Sequence, residues 1–419
     1  MAVLAISSYI GINTLYAQPG FGIAERVNSD WRFHLGDMEI KAGTEMNRVG
    51  WQQVSLPHDW SVKYPLSPNL ASATGYLPGG IGWYRKQLTI PADDQGKKIF
   101  IYFEGVYNRS EVFINGKSVG KRPNGYVSFS YDITPFIEFG KENTIAVRVD
   151  HSQSADSRWY TGSGIYRDVW IVKANPLHID QWGVYAYPEM KGGKGILNTE
   201  VTVVNSAAAS SAIAVEQQLI DMTGRIVAKK TQKVQVGATD KATVQQQLSV
   251  SNPKLWSLDQ PQQYTLRTIV TQNSQQIDRS EVKTGFRAFT FDANKGFALN
   301  GEWMKVKGVC LHHDAGVLGA EVYPEVWRRR LLTLKSLGVN AIRTSHNPQA
   351  SSLYALCDEL GLLVMDEAFD EWEFPKRKWL QGWNFGTPGF EGSYDFFESW
   401  GEQDLADMVK RDRNHLSIF

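Results

Sequence analysis

Three stretches decide the fold: KGVCLHHD (307–314), VNAIRTSHNP (339–348) and LLVMDEAFDEW (362–372). Each begins as a short apolar run, typical of a buried strand, and ends in a cluster of polar side chains. Helical periodicity fills the two gaps between them, at 324–337 and 350–360. Alternating strands and helices predict the first part of a (β/α)8 barrel. Because barrel loops converge on one open face, we expect a functional site at these strand ends.

Two all-β units precede this region. Short alternating runs with Gly, Pro and Asn between them fill residues 18–174, and the pair Asn115-Gly116 predicts a hairpin. This pattern favours a jelly-roll β-sandwich. Residues 175–285 contain longer alternating strands and have the size of an immunoglobulin-like β-sandwich. We therefore predict three domains, the last being an incomplete barrel over residues 286–419.

The charge balance gives no support for some classes of partner. Lys plus Arg and Asp plus Glu both number 44, so the net charge is zero and neither nucleic acid nor an anionic membrane is favoured as a partner. The 14 tryptophans suit sugar stacking, but an aromatic core explains them equally well. Two cysteines, Cys310 and Cys357, lie in apolar segments and are expected to be buried free thiols.

The first 17 residues form an uncharged apolar run that ends in Leu15-Tyr16-Ala17. This pattern is typical of the hydrophobic part and cleavage site of a secretory signal, although the usual basic start is absent. The run is too short for a convincing membrane span. We expect a signal peptide at residues 1–17 and a secreted or periplasmic protein.

Four separated motifs, which fall in the family's order along the chain, resemble those of family-2 glycoside hydrolases, which include β-galactosidases, β-glucuronidases and β-mannosidases. The first signature of that family is similar to NAIRTSHNP (340–348) followed by DELGLLVMDE (358–367), and the second begins like DRNHLSIF (412–419). The first sandwich carries LPHDW (56–60) and SRWYTGSGIYRDVW (157–170), which resemble two further pieces of the family. The resemblance covers nearly the whole chain and implies a retaining glycosidase.

The resemblance also places the catalytic carboxyls beyond this sequence. In the family, the second signature continues to an Asn-Glu whose Glu is the acid/base, and the nucleophile Glu lies on a later strand. Retaining glycosidases need both carboxyls about 5–5.5 Å apart. Two positions depart from the signatures, Asn347 where Tyr is frequent and Leu416 where Pro is usual. We expect a fragment ending at Phe419 to be inactive alone.

What remains is the half of the site that binds substrate. His312 and His346 match histidines that donate hydrogen bonds to sugar hydroxyls, and Arg343 matches an arginine beside the nucleophile. His313 and Asp314 are expected to support these residues from behind. The complete set of predicted substrate-binding residues is Arg158, His312, Arg343, His346, Asp370 and Trp372.

Three of these residues lie on loops, Asp370 and Trp372 after the third strand and Arg158 in the first sandwich. Asp370 is expected to fix a hydroxyl and Trp372 to stack on the sugar, while Arg158 would reach over from the first sandwich. Each residue has an ordinary structural explanation as well: a satisfied core histidine, a barrel salt bridge or a solvated loop arginine.

The resemblance implies no required cofactor. Some members bind Mg²⁺ through a Glu and a His after the third strand. Glu371 stands at the position of the Glu, but Glu373 occupies that of the His, so we predict no metal. The implied partner is a glycoside or oligosaccharide, and the complete enzyme could form a homo-oligomer.

The motifs SRWYTGSG (157–164) and FDEW (369–372) look more like the β-galactosidase branch, so hydrolysis of terminal β-D-galactosides is the leading prediction. β-Glucuronidase of the same family is the alternative within the hydrolases. A non-catalytic carbohydrate-binding β-sandwich protein is the alternative outside them. It would bind glycans on an aromatic platform of the first sandwich, without His312 or His346.

Overall fold

The computed structural model describes residues 19–38, 50–153, 156–374 and 392–419. The expected signal peptide at residues 1–17 lies outside these ranges. No helix among the described residues has both the length and the apolar character needed to cross a membrane.

The first unit is a two-sheet sandwich of ten strands. One sheet has the order β1-β10-β5-β8 and the other β3-β2-β4-β9-β6-β7, with antiparallel pairing throughout. Alternating Val, Ile and aromatic residues of both sheets form its core, and the predicted hairpin joins β6 to β7. The strands are β1 (Ile23–Arg26), β2 (Trp31–Leu35), β3 (Gln52–Val54), β4 (Gly80–Thr89), β5 (Lys98–Phe103), β6 (Ser110–Ile114), β7 (Lys117–Arg122), β8 (Phe129–Asp132), β9 (Glu142–His151) and β10 (Val169–Ala174).

The second unit is a smaller sandwich of seven strands. Its sheets have the orders β11-β12-β15 and β14-β13-β16-β17, and Phe286 packs into the core between them. The strands are β11 (Leu177–Lys191), β12 (Lys194–Asn205), β13 (Ser211–Ile220), β14 (Ile226–Val236), β15 (Asp240–Ser251), β16 (Tyr264–Gln272) and β17 (Gln275–Thr284). The prediction of two β-sandwiches before the barrel is confirmed.

The third unit begins with a small antiparallel sheet and continues as parallel strands and helices. A hydrophobic cluster that includes Trp256, Phe297, Ala341 and Leu363 covers the starts of the second and third parallel strands. Ile418 pairs in parallel with Val364, so a fourth position is occupied beside the third strand. The elements are β18 (Phe289–Asp292), β19 (Gly296–Leu299), β20 (Glu302–Met304), β21 (Gly308–Leu311), α1 (Pro324–Ser336), β22 (Ala341–Thr344), α2 (Ser351–Leu360), β23 (Leu363–Met365) and α3 (Tyr394–Asp412).

The parallel sheet β21-β22-β23 has one face covered by helices and one face open. Val309, Ile342 and Val364 point to the covered face and pack on α1 and α2. Successive side chains of a strand point to opposite faces, so Cys310, Arg343 and Met365, which are neighbours in register, share the open face.

The positions of the two cysteines follow from this alternation. Cys357 is buried on α2, as expected. Cys310 is exposed, so the expectation of a buried thiol there is wrong. An apolar run predicts a buried strand, but it does not say which of its residues face the helices. Arg343 Nη1 lies 3.4 Å from Cys310 Sγ, and this guanidinium lowers the pKa of the thiol.

Charged groups attach the end of the third unit to the first sandwich. The Arg122 guanidinium lies 2.6 Å from Asp404 and 2.8 Å from Asp407, and Asn124 Nδ2 donates to Asp404 over 2.8 Å. The pair of Arg122 and Asp404 is almost completely buried. Removing one partner of such a pair leaves a buried charge without its counterion, which is costly. This contact therefore fixes α3 on the sandwich.

A cavity of about 180 Å³ lies at a second junction, between the first sandwich and the beginnings of α1 and α2. Glu104 and Asp168 line it, and Trp170 Nε1 donates to Glu104 Oε1 over 3.2 Å. Burial, together with the nearby Asp168 carboxylate, raises the pKa of Glu104 to about 8. The raised pKa favours the protonated form of Glu104 in the folded protein.

The position of Cys310 on the open face of the parallel sheet predicts that its thiol is reactive. At pH 7 we expect Cys310 of the folded protein to react with Ellman's reagent, whereas Cys357 should react only after denaturation. The thiolate is the nucleophile, so Arg343→Gln should raise the pKa of Cys310 and slow its reaction severalfold. Equal rates for the two thiols in the folded protein, or an unchanged rate in the variant, would contradict this arrangement.

The burial of the Glu104 carboxyl predicts that the stability of the fold depends on pH. Unfolded Glu104 ionises near its ordinary pKa of about 4.3, while the folded form keeps its proton to about pH 8, so the free energy of unfolding should fall between these values. Glu104→Gln should flatten this slope, on the order of a few kcal/mol across the range, in urea unfolding followed at several pH values. Glu325→Gln, an exposed carboxyl on α1, is the control and should leave the slope intact. An unaltered slope in Glu104→Gln would mean that this carboxyl is already ionised at neutral pH.

Candidate active site

The polar residues after the three parallel strands lie at one edge of the sheet. Leu311 at the end of β21 is in register with Thr344 at the end of β22, and β23 ends one step earlier, at Met365 opposite Arg343. The chain then continues into His312, Ser345 and Asp366, respectively. Because the parallel strands end at nearly the same height, the polar clusters that follow them lie close together.

His312 and His346 form an aromatic group with Trp159 of the first sandwich. The rings of Trp159 and His312 are stacked with centroids 4.9 Å apart, and His346 meets both rings edge-on at 5.3 and 5.6 Å. Burial beneath these rings and the neighbouring His346 lower the pKa of His312, which favours its neutral form. Its Nδ1 is buried without a hydrogen-bond partner among the described residues.

Glu367 holds two of the predicted residues in place. Its carboxylate accepts from Arg343 Nε on one oxygen and lies 2.9 Å from His346 Nδ1 on the other. The Glu367 backbone N–H donates to Thr344 Oγ1 over 2.9 Å, which fixes the loop itself. Sequence reasoning did not select Glu367, although its place two residues after a strand end was a signal that could have found it.

Arg158 crosses from the first sandwich to the barrel. Its Nη2 lies 2.7 Å from Asp370 Oδ1 in a pair between residues 212 positions apart. The Asp370 carboxylate is buried, whereas the Arg158 side chain is 44% exposed. The two residues were selected separately, and the structure shows that they contact each other.

A cavity of about 750 Å³ opens beside these groups. Its wall includes Arg343, His346, Glu367, Asp370 and Trp372, and its size is within the range of small-molecule sites. Trp372 is 66% exposed, so its ring is available for stacking. Five of the six predicted residues thus lie in or at this cavity through direct lining or pairing, and His312 joins them through His346.

His313 points away from the cavity into the domain junction. It is buried, and its Nε2 lies 2.7 Å from the carbonyl oxygen of Thr161. Burial lowers the pKa of His313 to about 4, so it donates this hydrogen bond as a neutral ring. Its expected supporting position behind the site agrees with this geometry.

The arrangement suits the recognition of hydroxyl groups. Arginine, imidazole and carboxylate groups surround an open space next to aromatic faces, which is the chemistry that sugar rings require. Among the described residues, no group of three or more His, Cys, Asp or Glu side chains is arranged to hold a metal ion. Glu371 is buried near the cavity, and Glu373 follows it at an exposed position.

Comparison with known proteins gives matches along nearly the whole chain. Three models of glycosyl hydrolases family 2 match consecutive segments: the sugar binding domain at residues 25–175, the model named simply for the family at 177–287 and the TIM barrel domain at 293–419. β-Galactosidase BoGH2A of Bacteroides ovatus is 44% identical over 395 residues, which is 94% of this chain and 45% of the relative. A β-glucuronidase of Bacteroides fragilis is 28% identical over 94% of this chain and 54% of its own length.

Solved structures agree with the sequence matches. A family-2 member from Bacteroides cellulosilyticus superposes with a TM-score of 0.88 at 35% identity, covering 94% of this chain and 51% of that chain. Bacteroides uniformis β-glucuronidase 2, bound covalently to cyclophellitol-6-carboxylate aziridine, gives a TM-score of 0.82 at 28% identity, with 95% of this chain and 46% of that chain covered. This chain spans about half the length of the relatives it matches. By its three domains, in sequence and in fold, it belongs to glycosyl hydrolases family 2.

Proposed function

We propose that the protein from which these residues come hydrolyses terminal β-D-galactosides with retention of configuration. The described residues would supply the recognition of the sugar. The observation that carries the proposal is the pair of Arg158 and Asp370, which brings a donor of the first sandwich to the barrel site. The 44% identity to a protein named as a β-galactosidase supports the choice of sugar.

In this proposal the sugar lies in the cavity against the rings of Trp372 and His346. Arg158 can donate to vicinal hydroxyls while it remains paired with Asp370, because a guanidinium has five N–H donors. Asp370 accepts from the sugar and fixes the direction of the Arg158 fork. Such contacts place the bond to be cleaved, and positioning alone accounts for a large part of enzymatic rate enhancement.

In this proposal Arg343 acts on the ionisation of the nucleophile. Glu367 holds the guanidinium at the open face of the sheet, where it can lower the pKa of a carboxyl group nearby. A retaining glycosidase needs its nucleophile ionised at neutral pH, and a fixed cation favours that state. Glu367 thus orients both Arg343 and His346 towards the same space.

β-Glucuronidase activity is the second candidate, because relatives carrying that name match most of this chain. The exposed guanidinium groups of Arg158 and Arg343 could also bind a sugar carboxylate. The two candidates are separated by comparing kcat/KM for 4-nitrophenyl β-D-galactoside and β-D-glucuronide. We expect the galactoside to be preferred, and a preference for the glucuronide would overturn the choice of sugar.

The role of Arg158 can be tested in the protein expressed from the complete reading frame. Arg158→Ala should lower kcat/KM for the preferred glycoside by roughly 10²-fold, since a charge-assisted contact with the sugar is lost. Asp370→Asn should have a similar effect. The double variant should lose much less than the product of the two, because the residues act as a pair.

The control is Arg328→Ala, which breaks an ion pair with Glu359 on the outer helices. It removes the same side chain far from the cavity and should leave kcat/KM unchanged. If Arg158→Ala behaves like Arg328→Ala, the first sandwich does not take part in the site.

A further inference from the structure

The carboxylate of Asp59 joins three loops that are distant in sequence. Oδ1 accepts from the backbone N–H groups of Ser61 at 3.0 Å and Ser163 at 2.9 Å. Oδ2 accepts from the backbone N–H of Ala320 at 2.9 Å and from the Tyr160 hydroxyl. Asp59 is fully buried, so these four donors replace the water that a carboxylate would otherwise bind. Its contacts thus connect both domains at one point.

Two of these loops carry the site. Residues 156–165, which we term the bridging loop, contain Arg158 and Trp159. The other, residues 312–321, leads from the end of β21 to α1 and begins with His312. The Asp59 backbone N–H donates to Glu321 Oε1 over 2.8 Å, which adds a second contact with this barrel loop.

Glycines on both sides leave room for the Asp59 carboxylate. A Cβ on Gly162 of the bridging loop would lie 2.7 Å from Asp59 Oδ2, and one on Gly319 of the barrel loop would lie 2.3 Å from it. Both glycines also have positive φ angles, which other residues rarely adopt. The two loops can therefore approach the same carboxylate oxygen only because neither has a side chain at these positions.

Trp159 lies between fixed points of the bridging loop. Arg158 before it pairs with Asp370, Tyr160 after it donates to Asp59, and the Thr161 carbonyl accepts from His313. With its neighbours held, the Trp159 ring is placed over His312. The contact with Asp59 is the one that ties the loop to both domains at once.

We propose that Asp59 is a positioning residue of the active site: by holding the bridging loop against the barrel loop, it sets Trp159 over His312 and His346 and Arg158 at Asp370. Asp59 itself lies outside the cavity and touches no substrate. Its consequence for sugar binding rests on the proposed function, whereas its control of loop position does not.

The test compares Asp59→Asn and Tyr160→Phe with the unaltered chain. Asparagine has the shape of aspartate but only one accepting oxygen, so its NH₂ group would face at least one backbone N–H donor. Tyr160→Phe removes a single hydroxyl and keeps the ring, so it remains informative if Asp59→Asn fails to fold. Lys63→Met is the control, because it breaks the half-exposed pair with Glu321 at the same junction and leaves the four donors to the Asp59 carboxylate in place.

The readout is the titration of His312, followed by NMR in protein containing ¹³C-labelled histidine and assigned with His312→Gln. Burial under the bridging loop lowers the pKa of His312, so Trp159→Ala should raise it and defines the full effect of uncovering the ring. We expect Asp59→Asn to raise the pKa of His312 towards that of Trp159→Ala, Tyr160→Phe to raise it partway, and Lys63→Met to leave it unchanged.

The proposal is overturned if Asp59→Asn and Tyr160→Phe leave His312 unshifted, even when they lower the melting temperature, because that result describes a purely structural residue. It is also overturned if Trp159→Ala leaves His312 unshifted, since the loop would then not cover the ring. The titration needs no sugar, so it can succeed while the proposed galactosidase activity fails. A shifted His312 without any effect of Arg158→Ala on kcat/KM would separate the two ideas.

Discussion

The contact between the bridging loop and the ends of the parallel strands is the constraint on which the site depends. Arg158 and Asp370 are 212 residues apart, and they meet only if the first sandwich has a fixed position on the barrel. That position is maintained by buried polar contacts on several sides, including the pair of Arg122 and Asp404. A buried charge with one partner removed is costly, so these contacts resist sliding of one domain on the other.

Much of the fold could be predicted because its signals are local. Apolar runs of strand length separated by helical periodicity predicted β21 to β23 with α1 and α2. Each of these helices differs from its predicted range by one residue at one end. The convergence of strand ends then follows from parallel pairing, and the rings of His312 and His346 lie next to each other in the structure. The loop around Arg158 was identified through a resemblance of motifs, since nothing in its local sequence indicates what it contacts.

Other features depend on contacts that a single sequence does not encode locally. Glu367 orients Arg343 and His346 because the loops after β22 and β23 meet in space. Trp159 was seen only as a neighbour of Arg158, yet its ring covers His312. Cys310 was assigned to the interior because its neighbours are apolar, but strand alternation directs it to the open face. For Glu367 and Trp159 the partner comes from another element, and spacing along the chain carries no information about it. For Cys310 the alternation is local, but which face of the sheet the helices cover is not.

The central claim, that the first sandwich and the barrel share one sugar site, is tested most directly by a crystal structure with a bound β-galactoside. We expect a single sugar in the cavity, within hydrogen-bond distance of both Arg158 and His346 and stacked on an aromatic ring. A sugar that contacts the barrel residues while Arg158 points to solvent would contradict the claim. So would a sugar bound only on an outer face of the first sandwich.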